Sequence, residues 1–151
     1  MSDVIYSVIN VIIHRDTKKI LMLYREEGIY SGHEPVKGKI KKSEMEGAAL
    51  KRETSDETGL EIGEHLKVVG RLDGYYVAKQ EEKFPGKTIN GTVFVSEYSN
   101  GEIKIGGDKE HKDWSWMAYE EANKNCWLHK FGDNIIEPAY EYYLERTGVT
   151  A

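Results

Sequence analysis

The chain has one cysteine, Cys126, in 151 residues, so no internal disulfide can staple it. Cystine-framed secreted domains are thereby excluded. No histidine-containing motif surrounds Cys126, and a buried free thiol is the expected state. Long apolar runs are also lacking: 8–13 and 20–24 are the richest stretches, far short of the ~20 residues that a membrane-crossing helix needs. The opening Met1-Ser2-Asp3-Val4 offers neither a basic region before a long apolar core nor a small-residue cleavage site. A cytoplasmic protein with no membrane partner is expected. Positive charge is short as well, with 21 Lys and Arg against 26 Asp and Glu and a formal net charge of -5. Proteins that coat DNA or RNA carry the opposite balance, so no stable nucleic-acid partner is expected.

What is present suffices for one core. The chain is 39% hydrophobic and 11% aromatic, and a single domain over 1–151 is expected. The β-branched stretch 4–13 predicts a buried strand, and the polar turn 16–19 predicts a hairpin to a second strand over 20–24. An exposed loop is expected over 28–32, then a short strand within 34–40 limited by Pro35, which cannot donate to a ladder. Ser43 followed by Glu46 has the spacing of a capping box, and the helix it opens should end at Gly59. Strands are expected over 66–72, 75–78, 88–96, 103–105 and 114–118, a short helix from Tyr119, and a last helix within 135–146 that could begin at Pro138. This alternation implies an α/β or α+β sandwich with a mixed sheet between helices.

The chemistry concentrates in 37–60. Lys37, Lys39, Lys41 and Lys42 crowd ahead of Glu44, Glu46, Glu53, Asp56 and Glu57, a mixture suited to a metal-bound polyphosphate and equally found on solvated surfaces. On a helix, Glu53, Asp56 and Glu57 stand at i, i+3 and i+4 and share one face. Crowded carboxylates repel one another unless a cation joins them, and oxygen-only ligands select a hard ion such as Mg2+ or Mn2+.

The segment from Gly38 to Leu60 resembles the Nudix box, whose pattern is Gly, five residues, Glu, seven residues, Arg-Glu, an apolar residue, any residue, Glu-Glu, any residue, Gly and an apolar residue. Gly38, Glu44, Arg52, Glu53, Glu57 and Gly59 match. Six fixed matches, each at ~6%, would arise by chance on the order of 10⁻⁵ times in such a chain. Thr54 stands where the pattern is apolar, and Asp56 is one methylene shorter than the usual glutamate. The resemblance extends to the strand ending at Arg25 and to Glu110-His111 before Trp114. It implies the Nudix α/β/α sandwich and divalent-metal-dependent hydrolysis of a phosphoanhydride bond in a nucleoside diphosphate derivative.

By this resemblance Glu53 and Glu57 are the first-choice metal ligands, followed by Asp56 and then by Glu44 in support. Arg52 orients the glutamates. Glu110 is the candidate metal ligand or general base outside the box. Arg25, Lys37 and Lys39 are candidate phosphate contacts, with solvated surface the alternative for each. Tyr6, Tyr75, Tyr76, Phe94 and Trp127 are candidate base-stacking surfaces, most of them expected in the core, with Tyr76 retained as a substrate contact. The run 33–38 and the late segment 127–134 resemble the subgroup acting on nucleoside and pterin triphosphates, while Lys37-Gly38 also resembles diadenosine polyphosphate hydrolases. A (deoxy)nucleoside triphosphate, giving monophosphate and pyrophosphate, is the expected substrate. Diadenosine tetraphosphate is the alternative, for which the loop 79–87 with Phe84 would cover a second nucleoside. A catalytically silent nucleotide-binding domain is the alternative of another class. The sequence leaves a homodimer open.

Overall fold

The computed structural model describes residues 3–80, 82–106 and 110–148, with the side chains of 74 and 75 set aside. In chain order the elements are β1 (Val4–His14), β2 (Ile20–Arg25), β3 (Gly32–Glu34), β4 (Val36–Lys39), α1 (Glu46–Thr58), β5 (Leu66–Lys79), β6 (Thr88–Tyr98), β7 (His111–Met117), α2 (Tyr119–Asn125) and α3 (Ile136–Thr147). The strands form one mixed sheet: β3-β2-β1-β6-β5 run side by side, β4 also pairs with β1, and β7 with β2. β1 lies parallel to β6 along its whole length and antiparallel to β4.

The apolar run of β1 suits a strand covered on both faces. Ile9, Val11 and Ile13 alternate into a core shared with α2 and α3, while Val8 packs with Ala49 and Leu50 of α1 and Ile12 with Leu60. The sheet is therefore sandwiched between helices, in agreement with the sequence. Cys126 is a buried free thiol, and burial pushes it up to about 12. Among the described residues no helix is long and apolar enough to cross a membrane.

Several local expectations are revised. The hairpin is vestigial: β1 and β2 pair only through Ile13 and Ile20, because β4 and β6 occupy the flanks of β1. Pro35 divides the expected 34–40 strand, so β3 joins β2 while β4 joins β1. The 28–32 loop holds a 3₁₀ turn, Gly28–Tyr30, whose Tyr30 is buried against Trp127 and Phe131. The capping box does not form. Ser43 takes a left-handed φ of 65°, Met45 caps α1 without a side-chain bond, and the Glu46 carboxylate is drawn instead to Arg71 at 2.6 Å. Gly59 ends α1 as expected, with φ 74° and its N–H on Ser55 O. The strands expected over 66–72 and 75–78 merge into β5, a register shift between Leu72 and Tyr76 absorbing the break. Residues 103–105 form no strand: Lys104 N–H donates to Thr58 O, and Ile103 and Ile105 pack beside Leu60. α3 starts at Ile136, with Pro138 inside the first turn, where its missing N–H costs nothing.

Thr54 is explained by the sheet beneath it. Its hydroxyl accepts from fully buried Asn10 Nδ2 at 3.1 Å, and Asn10 Oδ1 accepts from Ser96 Oγ at 2.7 Å. A polar pin thus ties α1 to β1 and β6 where the family pattern has an apolar contact.

Candidate active site

α1 turns Ala49, Leu50, Thr54, Glu57 and Thr58 toward the sheet, which places Glu57 almost fully out of solvent at 1% exposure and leaves Asp56 exposed. Glu53 sits between them in burial, facing β4. A side chain on Gly38 would overlap the Glu53 carboxylate, so the glycine is required for this close approach. Lys37 N–H donates to Glu57 Oε1 at 3.3 Å. Burial, then the neighbouring Glu53 and Glu34, push the Glu57 carboxyl well above the usual range, against an opposing pull from Lys37.

Arg52 grips the loop before the helix. Its Nε and Nη2 donate to Glu44 Oε2 and Oε1 at 2.8 and 2.9 Å, Nη2 also reaches Lys39 O at 3.0 Å, and Nη1 pairs with Glu53. Lys41 N–H donates to Glu44 Oε1 as well. With Arg52 first and Lys41 second, these bonds lower Glu44 to about 2. Both Glu44 oxygens are therefore engaged in bracing the loop and Arg52.

A second charged group lies across the sheet. Arg25, only 3% exposed, contacts Glu27 at 2.9 Å and Glu110 at 2.8 Å from its Nη1 and Nη2. Beneath it is Glu34, with no exposed surface, which also receives His111 Nε2 at 2.9 Å and Trp127 Nε1 at 2.7 Å. Burial alone would raise Glu34, but Lys37, the His111 bond and Arg25 together lower it to about 2. His111 Nδ1 stands 3.9 Å from Glu57 Oε1, linking the two groups.

Between them opens a cavity of about 430 Å³. Arg25, Lys37, Lys39, Lys41, Arg52 and Lys83 bring positive charge to it, and Glu53 and Glu110 negative charge. Tyr76, Gln80 and Phe84 form part of its wall, with Lys39 Nζ 5.2 Å from the centre of the Phe84 ring. Of the residues the sequence singles out, Arg25, Lys37, Lys39, Arg52, Glu53, Tyr76 and Glu110 meet at this cavity. Glu57 lies behind them, bonded to Lys37, while Asp56 and Glu44 are not part of the lining. Tyr6 is 57% exposed, Phe94 and Trp127 are buried, and the Tyr75 side chain lies outside the described residues. Sequence reasoning did not single out Glu34, Gln80 or Lys83. The available signal for Glu34 was an acidic residue set directly before Pro35 in an otherwise buried stretch.

The family model for the NUDIX domain matches residues 6–139. The chain is a Nudix hydrolase. Among curated proteins, the enzyme is 33% identical over 116 residues to the asymmetrical bis(5'-nucleosyl)-tetraphosphatase of Mus musculus, covering 76% of this chain and 72% of that protein. The counterpart from Sus scrofa is 27% identical over the same shares. Among solved structures, a C. elegans Ap4A hydrolase binary complex superposes with a TM-score of 0.71 at 19% identity, covering 95% of this chain and 98% of that one. The E. coli dihydroneopterin triphosphate pyrophosphohydrolase gives 0.65 at 18%, covering 93% and 94%. The enzyme therefore hydrolyses phosphoanhydride bonds, and its family generally uses divalent cations. The donor set fits such an ion: Glu53 and the buried Glu57 crowd together, and burial of a like-charged carboxylate pair is relieved by a cation.

Proposed function

We propose that the enzyme hydrolyses a dinucleoside polyphosphate asymmetrically, diadenosine tetraphosphate giving ATP and AMP. The observation that carries this reading is the convergence of Arg25, Lys37, Lys39, Lys41, Arg52 and Lys83 on the cavity that also holds Glu53 and Glu110. A long polyphosphate uses many cations at once, and the mouse relative is an asymmetrical bis(5'-nucleosyl)-tetraphosphatase. A nucleoside triphosphate yielding monophosphate and pyrophosphate is the second reading. It is favoured by the resemblance of 33–38 and 127–134 to the triphosphate subgroup.

In this reading Glu53 and Glu57 would hold Mg2+ or Mn2+, with exposed Asp56 adding its charge beside them. The bound ion supplies charge neutralisation and a more acidic water. The chain's own residues do the rest. Lys37, Lys39 and Lys83 bind phosphate oxygens, Arg25, whose Nη1 and Nη2 are paired with Glu27 and Glu110, brings its charge beside them, and Arg52 keeps Glu53 oriented. Glu110, 54% exposed at the cavity, accepts the proton of the attacking water. Phe84, on the loop between β5 and β6 where a second nucleoside emerges, flanks a base, while Tyr76, expected from the sequence as a substrate contact, is only 2% exposed and backs the wall from the core.

The test is a substrate screen with Mg2+, Mn2+, Ca2+ or excess chelator, resolving all nucleotide products. The expected result is ATP and AMP from diadenosine tetraphosphate, with kcat/KM at least about tenfold above any triphosphate. Activity should vanish with chelator and should not return with Ca2+ alone, whose looser oxygen shell positions water poorly. Faster release of pyrophosphate from a triphosphate makes the second reading correct.

A further inference from the structure

Glu34, Glu57 and His111 bring one ligand atom each within 4.8 Å of one another in a buried cluster, which invites assignment of Glu34 as a metal ligand. Its hydrogen bonding argues otherwise. Glu34 Oε1 accepts Trp127 Nε1 at 2.7 Å and lies 3.1 Å from Arg25 Nε. Oε2 accepts His111 Nε2 at 2.9 Å and Arg25 Nη2 at 3.3 Å. An ionised carboxylate offers about four acceptor sites, and here hydrogen bonds from β2, β7 and the 3₁₀ turn Trp127–Lys130 take three of them, with Arg25 Nε a further ion-pair contact. A cation would have to displace charge-assisted bonds already made without exposed surface.

The same arrangement fixes Arg25. A guanidinium buried to 3% exposure needs a carboxylate beside it. Glu34 lies at its Nε edge, and Glu27 and Glu110 take the outer nitrogens. The fork is planar and rigid, so fixing one edge sets the direction of the others. That direction is toward the cavity Arg25 lines.

We infer that Glu34 is a positioning residue: a buried anion clamp that aims the Arg25 guanidinium at the substrate's phosphates and is not a metal ligand. This rests on the proposed role of Arg25 as a phosphate contact. The charge of Glu34 holds Arg25 from below, and Trp127 and His111 hold Glu34. Polyphosphate binding is therefore sensitive to a residue that no ligand touches.

The experiment is steady-state hydrolysis of diadenosine tetraphosphate, or of the fastest triphosphate if that is preferred, by Glu34→Gln, Arg25→Gln and the double variant, with magnesium titrations. Glu34→Gln should lower kcat/KM at least about tenfold, mainly through KM, with half-saturating Mg2+ unchanged. Added to Arg25→Gln it should change kcat/KM less than about twofold, since the group it positions is gone. Trp127→Phe removes one donor to Glu34 without stranding a charge. It should raise KM in the same direction by about threefold or more, and it carries the test if Glu34→Gln does not fold. A raised magnesium requirement at unchanged KM makes Glu34 a ligand and overturns the inference. So do multiplicative losses in the double variant, or an unchanged KM in folded Glu34→Gln and Trp127→Phe. If Arg25→Gln alone leaves KM unchanged, the phosphate-contact reading fails first and takes the clamp with it.

Discussion

Glu57 is nearly devoid of solvent, its carboxyl is raised by burial and by Glu53 and Glu34, and it still receives the Lys37 N–H. A carboxylate so placed is costly by itself, which is the residue-scale argument for a cation beside it. Glu53→Gln and Glu57→Gln should each lower turnover at least about a hundredfold at saturating metal while the protein stays folded. Magnesium should raise the melting temperature of the parent protein and do so less in Glu57→Gln. Near-parental turnover in both variants would remove them from the metal site. These two residues were legible because helical spacing puts them on one face and the resemblance of Gly38 to Leu60 to the Nudix box singles them out. Glu34 was not, since its partners Trp127 and His111 stand 93 and 77 positions away.

At the scale of elements, α1 is pinned to the sheet by polar as well as apolar contacts. Thr54 stands where the family pattern is apolar, and its hydroxyl is paired with Asn10, itself paired with Ser96. Thr54→Val keeps the shape and strands the buried Asn10 amide, so it should cost about 1–3 kcal/mol in denaturant unfolding. Asn10→Val together with Ser96→Ala in that background should recover part of the loss, because no polar member of the buried chain is then left orphaned. A cost that simply adds would show the pair is not coupled. The helix's end was readable from Gly59, but its start was not. The capping box depends on Glu46 folding back, and Arg71 of β5 outbids that local bond.

Across the whole molecule, the last segment is locked through His129, whose Nε2 accepts the Ile135 N–H at 3.2 Å ahead of α3. Burial lowers its pKa below the ordinary 6.5, only partly offset by its bond to the Asn123 backbone. The unfolded chain thus binds a proton that the folded chain resists, and stability is present above about pH 6.5 and lost as pH falls through the folded value. Glu34 acts in the same direction lower down: its contribution is present above the ordinary 4.5 and is lost as pH falls toward about 2. Glu57, raised by burial, works in the opposite sense as it takes up a proton, so the His129 effect is read as a difference. Between pH 7 and 5 the melting temperature should drop further, or rise less, in the parent than in His129→Gln, which retains an acceptor without titrating there. Equal slopes in the two proteins would exclude His129 as the source.

The buried strand over 4–13, the box from Gly38 to Leu60 and its acidic helix face were determined by the sequence by itself, since each rests on composition or spacing within one short stretch of chain. The tertiary structure alone decided what those pieces meet. It cut the β1–β2 pairing to Ile13 and Ile20 and gave β1 a parallel partner in β6, and it split 34–40 between two neighbours at Pro35. It also engaged Glu44 with Arg52 and set Glu34 beneath Arg25. The physical reason is range. Backbone propensity and side-chain spacing act locally, whereas the burial of a charge and the choice of its partner depend on which distant strands close over it.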